Sequence, residues 1–523
     1  MTAVSSAIEL NIFSSRLDAV CEEMGAVLRN TAFSPNIRDR LDFSCAVFDA
    51  QGELCAQAAH IPVHLGSMAY AMRDLVQSLT WAEGDMVIVN DPYLGGTHLP
   101  DVTLIAPVFQ ADALVGFVAN RAHHADIGAD SPGSMPISHR LEEEGVVIPP
   151  TYLVRAGRMD EQVLRDVLER TRNPREARGD FSAQISANLA GRARLLELVQ
   201  PMGNTGFRTA LSDLNDYAER LACSALTEIP DGEYRFTDVM DDDGLGHLDI
   251  PITACIRVSG DRVHVDFAGT AAQVNGNINC PLSVAAAGVF YVFRCLMPAQ
   301  TPACAGTFRP ITLDAPEGCL LNARRPAAVA AGNVETSTRV VDVVLGALAK
   351  AIPERIPAAS HGSMNNLAMG AHVPGCSWDY YETIGGGMGA GRDGGGLSGL
   401  QTHMTNTLNT PIEAFEMRYP ARIRRYQIRE NSGGTGWRNG GDGLIREFEF
   451  LADAQVTLLT ERRRHAPWGV AGGGPGMKGE NRLNEVLIDG GKHRFAVKTG
   501  DRLRIATPGG GGFGAQKPRT SEG

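Results

Sequence analysis

Residues 90–109 read NDPYLGGTHLPDVTLIAPVF. Asn90, Asp91, His98 and Asp101 crowd around two prolines and a Gly-Gly pair, and an apolar run over 102–109 follows at once. A short apolar run bounded by turn residues reads as a buried strand. Upstream DMVIVNDPY and downstream ALVGFVANRAHHAD read the same way, so three short strands carry polar and imidazole groups at their ends.

Working outward, Ile8, Ile12, Leu17, Val20, Met24 and Leu28 recur at helical spacing, which predicts a helix over 5–30. DFSCAVFDAQGELCAQ reads as a β-hairpin turning at Ala50-Gln51-Gly52. Helices are expected over 64–79, 161–173, 181–198 and 206–226. From about residue 230 the style changes to antiparallel strands, GEYRFTDVMDDDG and DIPITACIRVSGDRVHVDFAG, followed by helices over 282–296 and 334–351. The final third alternates strand-like pieces, RIRRYQIREN and LIREFEFLADAQVTLLTERRR, with the glycine clusters IGGGMGAGRDGGG, NSGGTGWRNGGDG, VAGGGPG and TPGGGGFG, read as turns. No fixed-period repeat is visible, which disfavours a solenoid or propeller. The expected class is α+β, with mixed helices and largely antiparallel sheets. A soft boundary near 228 divides a metal-binding N-terminal region, 1–228, from a mixed α+β region, 229–515, with a tail over 516–523.

The 523 residues are 43 % hydrophobic and 21 % charged, ordinary for a soluble globular protein. No apolar run is long enough to span a bilayer, and the first residues lack a basic segment leading into an apolar one, so neither a membrane anchor nor a secretory signal is expected. Sixty acidic against 48 basic residues leave a net charge of -12, a field that repels nucleic acid. Ten cysteines without a CxxC pair read as reduced thiols in a cytoplasmic protein.

His98 and Asp101 are three apart, and His123 and His124 end the next apolar run. Two imidazoles with one or two carboxylates suit Zn²⁺, Mn²⁺ or Fe²⁺, which take such ligands at about 2.0–2.2 Å. Adjacent strand residues face opposite ways, so one of His123 and His124 points at such a metal and the other serves a supporting role. A lone HxxD also marks a turn with an Asp cap and an exposed His, and the residues alone leave both readings open.

With these motifs in view, NDPYLGGTHLPDVTLIAPVF and RAHHADIG resemble signatures of the hydantoinase B / 5-oxoprolinase family. NIRDRLDFSCAVFD, GNVETSTRVVDVV, YYETIGGGMGA, HMTNTLNTPIEAFE, RYQIRENSGGTGWRNGGDGLIREF and TPGGGGFG extend the resemblance nearly end to end. It implies a metal enzyme whose ligands are His98, Asp101 and His123, with Asp42 approaching the site; Asp39 is read as a surface charge. Three or four ligands leave a coordination position for a water whose pKa falls to about 7. His124, Asp126 and Glu144 are the candidate catalytic groups, although Asp126 also reads as a turn cap and 142–144 as a solvated acidic run. His60 and His64 read as packing or supporting groups. Ser360, His361 and Ser363 lack a third group for a nucleophile triad.

Unstrained cyclic amides resist water until their oxygen is activated. No GxxxxGK[ST] is present, and GAGRDG, 389–394, lacks a βαβ setting. ATP chemistry is therefore expected on another polypeptide. The resemblance implies the B subunit of an ATP-dependent hydantoinase, 5-oxoprolinase or lactamase, paired in a heterotetramer with an ATP-binding A-type subunit that phosphorylates the cyclic amide. The rivals are a subunit of an acetone-carboxylase-like enzyme and a non-catalytic scaffold for an ATP-hydrolysing partner.

Overall fold

The computed structural model describes residues 7–58, 60–373 and 376–516; of the expected tail, 517–523 lie outside them. The three strands read around residue 100 belong to one seven-stranded antiparallel sheet. Its members are β1 (Phe43–Asp49), β2 (Leu54–Gln57), β3 (Met86–Val89), β4 (Asp101–Gln110), β5 (Ala113–His123), β6 (Thr151–Arg155) and β7 (Arg158–Met159), in the order β2-β1-β5-β4-β3-β6-β7. β4 is apolar along nearly its whole length because both faces of the sheet are covered. Val102, Leu104, Ala106 and Val108 pack with Leu17, Met24, Phe181, Leu195 and Leu214 from the N-terminal and long helices. Ile105, Phe117 and Ala119 pack on the other side against Met68, Met72 and Leu75 of the helix Pro62–Gln77.

The helix expected over 5–30 is present as Ala7–Thr31. The two helices expected over 181–198 and 206–226 are one rod, Pro174–Leu226, broken at Gly203, whose φ of 67° and ψ of 164° are not helical. Pro201 sits two residues before the break; its ring cannot continue the hydrogen-bond ladder unstrained. The helix expected over 161–173 ends at Leu168.

Beyond the rod lie three further sheets. A four-stranded one runs Ile311–Asp314, Arg262–Asp266, Leu248–Ser259, Gly232–Asp242, and its first pair is parallel. The others are antiparallel: Cys376–Glu382, Asn366–Val373, Ala454–Leu459, Lys492–Val497, and Ala421–Arg429, Gly443–Phe450, Arg502–Ala506, Glu480–Leu483, Val486–Ile488. The class is α+β, with helices and antiparallel sheets in one chain. One apolar core joins Ile61 and Val63 with Leu226, Ile252, Phe293, Val344 and Leu459, so it draws on residues from both sides of position 228.

The glycine clusters do more than turn the chain. Gly387, Gly440 and Gly473 lie so close to other backbone that an added Cβ would sit 1.9, 2.0 and 2.1 Å from the carbonyl oxygens of Gly441, Gly510 and Gly512. These segments are tied by backbone hydrogen bonds, such as Gly510 N to Gly441 O at 2.9 Å and Gly434 N to Gly510 O at 2.8 Å. Among the described residues no helix is long and apolar enough to cross a membrane, and the described cysteines form no disulfide.

Candidate metal centre

The register of the central hairpin builds the site. β4 begins at Asp101 and β5 ends at His123, and the two residues are direct cross-strand partners. His98 lies in the turn just before β4, where Asp101 N donates to His98 O at 3.1 Å and brings the two side chains onto one side. Asn90 fastens the whole turn: its Nδ2 donates to Leu99 O and Val146 O, and its Oδ1 accepts from Ile148 N. Asp91 caps Tyr93 N and pairs with Arg325. Half of the polar groups in the opening stretch thus hold the loop, and the other half are left for chemistry.

His98, Asp101 and His123 are buried, and one ligand atom from each lies within 4.8 Å of the others. No hydrogen bond is assigned to His98 Nε2, Asp101 Oδ1 or His123 Nε2 among the described residues, and the first two atoms form a close pair 3.2 Å apart. Two imidazoles and a carboxylate gathered this closely in the interior, with no cation of the chain among them, fit a divalent cation with nitrogen and oxygen preferences. The surrounding contacts aim them. His98 Nδ1 is 3.1 Å from Ala330 O, which takes the ring proton there and leaves the Nε2 lone pair free. Asp101 Oδ2 accepts from Thr97 Oγ1 at 2.7 Å and Asn333 Nδ2 at 3.0 Å, and lies 3.1 Å from His64 Nε2, while Oδ1 faces His98 Nε2 at 3.2 Å. Asn333 sits in a π-helical turn, Gly332–Thr336, that opens the helix Ser337–Leu348. The His123 ring stacks flat on Tyr381, centroids 4.7 Å apart, and its Nδ1 accepts from Asn36 Nδ2 at 3.2 Å, which places the neutral ring's proton on Nε2; a cation at Nε2 requires that proton to move to Nδ1 and the Asn36 contact to be remade.

Electrostatics follows the geometry. Burial alone would raise Asp101, but His64 and His98 hold its carboxyl well below the usual range. Burial, then the neighbouring His98, hold His123 well below the ordinary histidine value. Burial raises the Asp42 carboxyl; its Oδ2 is 3.7 Å from Arg40 Nη2, beside the three-residue set and not a member of it.

The other expected residues are placed differently. His124 turns to the opposite face of the sheet, with Nε2 3.0 Å from Gln184 Oε1 and its ring on Phe181. It borders a separate cavity of about 330 Å³ that Asp126, Arg172, Glu176 and Arg418 also line. Asp126 is a brace: it accepts from Gly128 N, Ser134 Oγ and Arg172 N. Glu144 Oε1 accepts from Ser138 Oγ, Val329 N and Ala330 N, so it supports the carbonyl that orients His98. Its Oε2 has no partner among the described residues, and burial pushes its pKa up to about 7. Asp39 pairs with Arg38 at the surface. Sequence reasoning did not single out Asn36, Arg40, Asn333 or Tyr381; all four lie in motif stretches, NIRDRLDFS, GNVETSTR and YYETIGGG, which was the available signal.

Residues 6–516 match the family model for hydantoinase B/oxoprolinase. The chain belongs to the hydantoinase B/oxoprolinase family. It is 40 % identical to 5-oxoprolinase 1 of Arabidopsis thaliana over 98 % of this chain and 42 % of that protein. It thus spans about two-fifths of that relative's length. It is 31 % identical to a putative D-/L-hydantoinase B-type subunit of a Pseudomonas species, over 98 % of this chain and 91 % of the relative. Among solved structures, the ATP-dependent caprolactamase from Pseudomonas jessenii superposes with a TM-score of 0.91 at 29 % identity, covering 98 % of this chain and 91 % of that one.

Proposed function

We propose that this chain is the metal-binding B subunit of an ATP-dependent cyclic-amide hydrolase of hydantoinase, 5-oxoprolinase or lactamase type. It acts in the cytoplasm on a small cyclic amide that an ATP-binding A-type subunit has phosphorylated. The observation that carries this reading is the buried cluster of His98, Asp101 and His123, with one ligand atom of each within 4.8 Å of the others. These residues would hold Zn²⁺, Mn²⁺ or Fe²⁺, with Asp42 as a further carboxylate at the edge of the site. When bound, such an ion supplies Lewis acidity and a water acidified to a pKa of about 7.

The chain's own residues do the rest. Thr97, His64 and Asn333 fix which oxygen of Asp101 faces the site. Ala330, held by Glu144, fixes the His98 tautomer. Glu144, with its pKa of about 7 and its unpaired Oε2, is the group suited to hold or release a proton near neutrality. His124 and Asp126 act by placement, closing the far side of the strand end. The names of the relatives support the substrate class, since they include a 5-oxoprolinase and a caprolactamase. A non-catalytic scaffold, by contrast, would need no ion at these three residues.

The test is metal analysis and turnover of the chain co-expressed with its A-type partner. The wild-type pair is expected to carry about one divalent ion per chain. In His98→Ala the ion is lost, and ATP hydrolysis that depends on a cyclic amide falls roughly 1,000-fold. A metal-free wild-type pair, or a His98→Ala pair with unchanged turnover, refutes it.

A further inference from the structure

Arg40 is fully buried, yet only half of its guanidinium is used. Nη1 donates to Tyr381 O at 2.8 Å and to Asn36 Oδ1 at 3.3 Å. Nε and Nη2 have no hydrogen-bond partner among the described residues. The Asp42 oxygen is 3.7 Å from Nη2, outside hydrogen-bond range. Other buried arginines meet a closer partner: even Arg446, whose nitrogens likewise form no hydrogen bond among the described residues, has Glu382 Oε1 2.7 Å from Nε. Arg462 Nη2 reaches Asp238 at 2.7 Å and Asp342 at 2.5 Å. Arg121 places all three nitrogens on neutral oxygens, those of Thr103, Ser67 and Gly95. A guanidinium stays protonated; Asp42, 3.7 Å from Nη2, balances its charge without hydrogen-bonding it, so the buried Nε/Nη2 edge of Arg40 has donors that an oxyanion would satisfy.

That edge is tied to the metal centre twice. The Asn36 amide that holds Nη1 also contacts His123 Nδ1. The Tyr381 ring that stacks on His123 lies 4.9 Å from Arg40 Cζ. Nε and Nη2 together form the side of a guanidinium that takes two oxygens of one oxyanion. A phosphoryl group has three terminal oxygens, enough to occupy this edge and still face the His98–Asp101–His123 set. A carboxylate has two and is used up by the edge.

We propose that the Nε/Nη2 edge of Arg40 binds the phosphoryl group of the activated substrate next to the His98–Asp101–His123 set. This rests on the hydrolase reading for the source of the phosphoryl group, although phosphate binding itself can be measured without any partner.

The test titrates inorganic phosphate into the purified full-length chain by calorimetry, alongside Arg40→Gln and Arg40→Lys. Wild type is expected to bind phosphate, and both variants to bind it roughly 10-fold or more weakly, Lys keeping the charge but losing the fork. Titration with 5-oxoproline tests the carboxylate as the source of the anion. If Arg40→Gln weakens 5-oxoproline and leaves phosphate unchanged, the edge recognises a carboxylate and the proposal fails. It also fails if wild type binds no phosphate, or if folded variants bind it as wild type does. Should neither variant fold, wild-type crystals soaked in phosphate decide: density on Arg40 Nε and Nη2 supports the site, and its absence there overturns it. Metal content and cyclic-amide turnover of the co-expressed pair report separately on the hydrolase reading, so either can fall while the other stands.

Discussion

Two clusters of buried ionisable groups divide the molecule, and they are completed in different ways. In the larger cluster, drawn mostly from the C-terminal half, cationic side chains lie against carboxylates. Arg339 lies 3.2 Å from both Asp238 and Glu461, Arg462 contacts Asp238 and Asp342, and Lys492 Nζ is 2.5 Å from Glu461. At the strand ends of the central hairpin, His98, Asp101 and His123 bring one ligand atom each within 4.8 Å of the others, and His98 Nε2 lies 3.2 Å from Asp101 Oδ1. Burial is the same in both places. What differs is the balance of charge: in the first cluster cationic side chains face carboxylates, whereas the second gathers two imidazoles and one carboxylate, the donor set of the candidate metal centre.

The largest effect that would test this contrast comes from opening the first cluster. Arg462→Ala leaves Asp342 buried without its cation and Asp238 with Arg339 alone, and is expected to destabilise the fold by about 3–5 kcal/mol, read from urea unfolding. Metal bound per folded chain should not change; a parallel loss would mean that the two clusters are one. A smaller effect is expected from Asn333→Ala, which removes a donor to Asp101 Oδ2. Equilibrium dialysis should show metal affinity reduced roughly 10- to 100-fold with little change in unfolding midpoint. An unfolding shift without an affinity shift would make Asn333 a structural residue only.

The smallest effect concerns Glu335, which stands between the clusters. Its Oε1 accepts from Met364 N and Asn366 Nδ2, and Asn366 Oδ1 accepts from the Tyr381 hydroxyl. Burial, then Glu461, push its pKa up to about 8. The folded chain therefore binds more protons at this group than the unfolded chain between its ordinary value and about 8. Stability from Glu335 is full below that window and is lost as pH rises through it. Glu335→Gln keeps the accepting oxygen and stays neutral, so thermal melts from about pH 5 to about pH 9 should show a flatter profile and a gain of about 1–2 kcal/mol at the alkaline end. An unchanged slope would show that Glu335 does not titrate in this range.

Much of this architecture was legible in the chain itself. Apolar runs with polar ends gave the central strands, and helical spacing gave the first helix. The pleat required His123 and His124 to face opposite sides, and one meets Asp101 while the other meets Gln184. The supporting groups were not legible in this way. Asn333 and Tyr381 come from more than 200 residues away, and no local periodicity links them to Asp101 or His123. The rod Pro174–Leu226 was read as two helices because Pro201 and Gly203 break the pattern without ending the run. Glycine clusters were read as turns because the same composition serves both tight turns and close backbone packing.

That packing has a genetic consequence. Any single-base change in a glycine codon that keeps the chain intact and alters the residue introduces a side chain. At Gly387, Gly440 and Gly473 there is no room for its first carbon. Those positions have no conservative neighbour in the genetic code, so the C-terminal region should carry a heavier burden of inactivating missense variants per residue than the aliphatic strands around the candidate metal centre, where valine, isoleucine and leucine can often interchange.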